Sequence, residues 1–168
     1  GLINAFIHHA ADFSGAEIAL MDIAAPELSI VFQLGEKMIR AAGVDLKLSQ
    51  HTDQREAVAD ADYVLTTFRQ GGFEARHQDE RIPLQFGVIG QETIGPGGFF
   101  FAMRTLPVIK HLLADMKALA PRAVLVNYTN PTQIVAEAVT HFSDVPCISI
   151  CDQTNDDQSK ILHALDLH

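Results

Sequence analysis

Two cysteines in 168 residues, Cys147 and Cys151, are too few and too close together for a disulfide framework or a four-ligand zinc site. A reducing, cytoplasmic setting is therefore expected. Cations are also scarce, with 12 Lys and Arg against 21 Asp and Glu, and no basic run among them. The net charge of -9 excludes a nucleic-acid backbone as partner, so any basic group that matters acts locally. Long apolar runs are missing too. The longest are strand-sized, and no charged-then-apolar leader is present, so neither a membrane span nor a signal peptide is expected.

What remains is a chain with 48% hydrophobic residues, long enough for one α/β domain with its own core. Its order is regular. Apolar runs at 17–23, 46–48, 61–67, 123–128 and 147–151 read as strands, the first ending on Asp22. Between them, 28–42, 55–59, 104–119 and 132–142 read as helices, with Gly43 stopping the first, and 73–83 is a polar helix or loop. Strands alternating with helices predict a doubly wound, Rossmann-like parallel sheet. Ligands of such sheets bind at the carboxyl ends of the strands, where Asp22, Arg69, Asn130 and Cys151-Asp152 fall. The chain opens and closes on helical pattern, at 1–7 and 161–165, so a single incomplete domain truncated at both ends is expected.

Several residues at those ends carry candidate chemistry, each with a plainer alternative. An acid closing an early strand accepts from an adenosine ribose, which makes Asp22 a candidate NAD ligand; otherwise it caps a helix or lies in solvent. Asn130 precedes Pro131, so its amide faces a ligand, caps the next helix, or does both. Arg69 and Arg76 are seven apart. On a helix they share a face and offer an anion two guanidinium groups, and otherwise they are surface arginines. The segment 87–98, Gly-Val-Ile-Gly-Gln-Glu-Thr-Ile-Gly-Pro-Gly-Gly, is dense in glycine with Glu92 and Thr93 as its side-chain chemistry. It is a ligand-facing wall or an ordinary connector. Cys151 is a soft thiolate donor beside Asp152, while Cys147 reads as a structural cysteine.

Taken in order, Met21-Asp22-Ile23, Asp60-Ala61-Asp62-Tyr63-Val64, Arg69-Gln70-Gly71-Gly72, Arg76, Asp79-Glu80-Arg81-Ile82-Pro83-Leu84, the Gly-Gln-Glu-Thr loop, Asn127-Tyr128-Thr129-Asn130-Pro131 and Cys151 resemble glycoside hydrolase family 4. The resemblance extends over essentially the whole chain. It implies an NAD- and divalent-metal-dependent glycosidase, an exception to the two-carboxylate mechanism. In that family NAD takes hydride from C3 of the sugar, a base removes the C2 proton, the aglycone leaves, water adds and the hydride returns. A metal such as Mn2+ polarises the C2 and C3 oxygens.

By position, the resemblance implies Asp22 on the cofactor ribose and Cys151 on the metal. Arg76 and Asn130 would hold the sugar or its phosphate, Glu92 would lie near metal and sugar, and Asp152 would act as acid toward the leaving group. Cys151-Asp152 resembles the 6-phospho-α-glucosidases of the family, the phospho-β-glucosidases more often having Cys-Asn, and the Gly-Gln-Glu-Thr loop also resembles the phospho-sugar branch, so a phosphorylated disaccharide or glucoside is the expected substrate. A homo-dimer or homo-tetramer is expected of the full-length protein. The family's Gly-rich NAD loop, metal histidine and tyrosine base are not among these residues, so this chain alone is expected to be inactive. Gln153-Thr154-Asn155-Asp156 stands where the family has a proline and a glycine, which leaves the choice of anomer open. The alternatives are an α-glucosidase or α-galactosidase of the same family, a malate- or lactate-type dehydrogenase, and a non-catalytic nucleotide-binding domain.

Overall fold

The computed structural model describes residues 1–151 and 153–166, the side chains of 154–156 excepted. The backbone divides into two compact units, Gly1–Ala61 and Asp62–His168. Among the described residues no helix is long and apolar enough to cross a membrane.

The first unit holds α1 (Leu2–His8), β1 (Glu17–Met21), α2 (Ala25–Ala42), β2 (Lys47–His51) and α3 (Gln54–Val58). The two strands pair in parallel from Glu17 opposite Lys47 to Met21 opposite His51. Pro26 in the first turn of α2 costs no intrahelical bond, and Gly43 ends the helix in the left-handed region at φ 64°, its N–H bonded to the Ile39 and Arg40 carbonyls. Asp53 caps α3 by accepting from the Arg55 N–H at 2.8 Å. Leu28, Ile39, Leu46 and Val58 are the buried apolar residues of this unit. Gly35 packs closely, since a methyl there would meet the side-chain ends of Ile3 and Leu48 at 2.8 Å and those ends would have to shift.

The second unit holds β3 (Tyr63–Thr66), α4 (Gly72–Leu84), α5 (Gly95–Leu119), β4 (Val124–Asn127), α6 (Thr132–Phe142), β5 (Cys147–Ser149) and α7 (Gln153–Ala164). Its sheet has the order β3-β4-β5 and every pairing is parallel, with Thr66 opposite Asn127 and Asn127 opposite Ser149. All strand pairing in the chain is thus parallel, as expected of an α/β fold. The core is built on α5, whose Phe101, Ile109 and Met116 are almost wholly buried, together with Leu125 of β4 and Val135 and Val139 of α6. Each such side chain contributes about 1.5–3 kcal/mol.

The long helix differs from expectation at its start. It begins at Gly95, not near 104, so the Gly-Pro-Gly-Gly stretch forms its first turn. Proline is at home there because no N–H is required of it. The glycines are there for closeness. A methyl on Gly97 would lie 2.1 Å from the Gln91 carbonyl oxygen, and one on Gly98 would lie 2.3 Å from that of Thr93. The loop folds back onto the helix it introduces, and only glycine lets it do so.

Candidate functional site

The carboxyl edge of the second unit's sheet is held by Asn127, which is fully buried. Its Oδ1 accepts from Thr66 Oγ1 at 2.8 Å and from the Thr129 N–H at 3.1 Å, while its Nδ2 donates to the Thr129 carbonyl and to Ser149 Oγ, both at 3.2 Å. One amide therefore ties the ends of β3, β4 and β5 together. Thr129 extends the tie, its Oγ1 accepting from the Phe68 N–H at 3.2 Å just before Arg69.

From that edge the chain turns into the arginine cluster. Arg69 lies before α4, and the helix opens on Gly71 and Gly72 at φ 85° and 60°. Arg69 and Arg76 therefore do not share one helical face, contrary to the spacing argument. They meet at a common acid. Glu92, from the Gly-rich loop, brings Oε2 to 2.6 Å from Arg69 Nη2 and 3.3 Å from Arg76 Nε. This buried oxygen has hydrogen-bond geometry toward neither guanidinium, so the attraction is Coulombic. Arg76 Nε also donates to Glu80 Oε1 at 2.7 Å, one turn along α4. That bond, opposed by desolvation and then aided by the charges of Glu92 and Glu80, raises the Arg76 pKa above its ordinary value. Two carboxylates thus hold Arg76 by Nε alone, and its two terminal nitrogens make no hydrogen bond to a described side chain.

Beneath the cluster lies Phe101, with the Arg69 guanidinium 4.6 Å from its ring centre and that of Arg104 6.0 Å away. Arg104 makes a fork onto the buried Asp79, with Nη1 3.0 Å from Oδ1 and Nη2 on Oδ2, so α4 is pinned to α5. The loop is seated against α4 as well. A methyl on Gly90 would lie 1.8 Å from the Glu80 carbonyl oxygen. Gln91 Oε1 accepts from the Thr93 and Ile94 N–H groups and from the Thr93 hydroxyl. Sequence reasoning missed this role of Gln91, and it missed Asp79, Arg104 and Asn127 as organisers. A polar side chain that turns back on its own loop, or finds a partner 25 residues away, leaves no periodic trace.

The remaining candidates are placed as follows. Asn130, joined to Pro131 by a cis peptide, accepts from Thr132 Oγ1 at 2.8 Å. It is not the helix cap, which is Pro131, and its Nδ2 makes no hydrogen bond to a described residue. Asp22 is exposed immediately after β1, with Oδ1 accepting from the Ala24 N–H at 2.9 Å and the other oxygen making no hydrogen bond to a described residue. Such an acid fits the hydroxyl groups of a nucleotide ribose. Cys151 is an exposed free thiol two residues beyond β5, which ends at Ser149 and not at Cys151 as expected. Among the described residues no group of three His, Cys, Asp or Glu side chains converges on a metal position. Cys151 is thus one donor without a complete site, and Asp152 lies outside the described residues. Cys147 is partly buried, and burial pushes its thiol up while the Ser149 hydroxyl, 3.9 Å away, opposes the shift.

Parallel α/β topology with polar side chains collected where strands end defines a Rossmann-like ligand-binding protein. The chain belongs to family 4 of the glycosyl hydrolases, whose model matches residues 1–167. It is 43% identical over 154 residues to a 6-phospho-beta-glucosidase of Escherichia coli (strain K12), covering 90% of this chain and 34% of that protein. A 6-phospho-alpha-glucosidase from gut microorganisms, solved with NAD and Mn2+, superposes with a TM-score of 0.91 at 30% identity, over 100% of this chain and 39% of its own. The 6-phospho-beta glucosidase of Thermotoga maritima, solved with manganese, NAD+ and glucose-6-phosphate, gives 0.89 at 28% identity, over 99% of this chain and 41% of its own. The chain therefore spans between a third and about two fifths of the length of these relatives.

Proposed function

We propose that the protein carrying this chain hydrolyses 6-phospho-glucosides in the cytoplasm, as a homo-dimer or homo-tetramer, using NAD and a divalent metal such as Mn2+. The observation that carries this reading is Arg76, held at Nε by Glu80 and Glu92 with both terminal nitrogens left to donate. A guanidinium presented in this way suits a phosphate or a pair of sugar oxygens, since two parallel donors fix an oxyanion in orientation as well as position. The Asn130 amide donates to a sugar hydroxyl, its carbonyl being occupied by Thr132. Glu92 lies beside the sugar site with its charge facing Arg76. Asp22 accepts from the cofactor ribose with its remaining oxygen.

NAD, when bound, supplies the acceptor and donor of hydride. The 168 residues form one Rossmann-type domain, with the substrate and oligomerisation domain outside them. Cys151 would contribute a thiolate to the metal, and Asp152, which lies outside the described residues, would protonate the leaving group. The test is release of p-nitrophenol from nitrophenyl 6-phosphoglucosides of both anomers by the full-length protein with NAD and Mn2+. Release that disappears in Cys151→Ser is expected. Turnover of 2-oxo acids in its place would overturn the proposal in favour of a dehydrogenase, and NAD binding without glycosidase activity under any metal would leave a nucleotide-binding module.

A further inference from the structure

Counting charge around Arg76 exposes a difficulty for any anionic ligand. Its guanidinium faces two carboxylates, Glu80 at 2.7 Å and Glu92 at 3.3 Å, so these three groups together carry one net negative charge. An incoming phosphate would meet attraction from Arg76 and repulsion from both acids. Arg69 changes the balance. Its Nη2 lies 2.6 Å from Glu92 Oε2, the same oxygen that faces Arg76, and its guanidinium is stacked over Phe101. With Arg69 included the four groups sum to zero, and Glu92 is the acid whose charge is offset.

Neither cation relieves Glu92 through a hydrogen bond, so the pairing works by charge and not by a directional contact. The side chains of Arg69 and Glu92 are 24% and 22% exposed, less than the 37% of Arg76, so their mutual attraction is screened less by solvent than a surface pair would be. Stacking on Phe101 keeps the compensating charge in place without tying it to the ligand.

We infer that Arg69 is a positioning and specificity-determining residue that neutralises Glu92, leaving Arg76 effectively cationic and the site selective for anionic over neutral sugars. This rests on the proposed function in taking Arg76 as the ligand-facing arginine. The experiment measures dissociation constants of glucose 6-phosphate and of glucose by calorimetry on the full-length protein with NAD bound. Arg69→Gln weakens glucose 6-phosphate by about tenfold and leaves glucose within about twofold. Glu92→Gln alone tightens glucose 6-phosphate, and the double variant returns to within about threefold of the unsubstituted protein, because the charge Arg69 offsets is gone.

Equal affinity of Arg69→Gln and the unsubstituted protein would overturn the inference while leaving the function standing. So would failure of the double variant to recover, which would make Arg69 a direct ligand contact. Should Arg69→Gln fail to fold, Glu92→Gln decides: unchanged or weaker binding overturns the charge argument. No binding of glucose 6-phosphate by the unsubstituted protein would overturn the proposed function, and this inference with it.

Discussion

A methyl group at position 90 would sit 1.8 Å from the Glu80 carbonyl oxygen, and backbone cannot yield as a flexible side chain does. The loop would have to lift from α4, carrying Glu92 away from Arg76. Gly90→Ala is therefore expected to lower stability by about 1–3 kcal/mol. Urea unfolding followed by circular dichroism checks this; a variant as stable as the parent would show that the loop does not bear on α4. The two cysteines differ by a different physics. Cys147 is partly buried with its thiol pushed up by that burial, whereas Cys151 is exposed. Iodoacetamide at neutral pH is expected to modify Cys151 well before Cys147, read by peptide mass spectrometry. The raised Cys147 pKa carries a linked effect. Its contribution to stability is complete below the ordinary thiol pKa of 9.0 and is lost as pH rises through the higher folded-state value. Cys147→Ala is expected to remove that part of the alkaline loss, as thermal melts between neutral and alkaline pH would show.

At the scale of elements, the ends of β3, β4 and β5 depend on a single amide. Removing Asn127 leaves the Thr66 hydroxyl, the Thr129 N–H and carbonyl, and Ser149 Oγ without the partner they have now. Asn127→Ala is expected to cost about 1–3 kcal/mol and to speed exchange of the Tyr128 N–H, which bonds to the Thr66 carbonyl at 2.9 Å across the same edge. Slow exchange of that amide in the variant would mean that the backbone ladder alone fixes the edge. The elements themselves were mostly legible. Thr132–Phe142 follows its apolar spacing to the residue, and Gly43 stops α2 where a left-handed cap is required. The end of helix α5 at Leu119 was legible too, but its start was not, because Gly95, Gly97 and Gly98 count as helix breakers by propensity. What outweighs propensity is the absence of room for any Cβ against Gln91 and Thr93, and close backbone approach leaves no signal in hydrophobic periodicity. For the same reason the meeting of Arg69 and Arg76 was anticipated by a helical spacing that does not exist. Glu92 joins them instead, by a contact that is tertiary.

At the scale of the whole chain, the strand-end positions of Asp22 after β1, Arg69 after β3 and Asn130 after β4 were legible from the alternation of strands and helices. The charge balance was not, since it depends on which acid faces which cation. The proposed metal site lies at the limit of what these residues carry. Cys151 is a single exposed thiol, and among the described residues it belongs to no group of three or more His, Cys, Asp or Glu side chains that could hold a metal. The isolated 168-residue chain is accordingly expected to release no p-nitrophenol from a nitrophenyl 6-phosphoglucoside at any Mn2+ concentration. Under the proposed function, a thiolate in the metal's donor set would have a consequence in the full-length protein that a set of oxygens would not. Mg2+ demands hard oxygen ligands in a near-ideal octahedron, whereas first-row transition metals accept sulfur alongside nitrogen and oxygen. Chelation is therefore expected to abolish activity, Mn2+ to restore it, and Mg2+ at the same concentration to restore much less. Cys151→Asp replaces sulfur by oxygen at the same position and is expected to narrow that gap by raising the relative effectiveness of Mg2+. Equal restoration by the two metals in the unsubstituted protein, or an unchanged ratio in Cys151→Asp, would remove Cys151 from the metal's ligands and leave it a solvent-facing thiol at the end of the sheet.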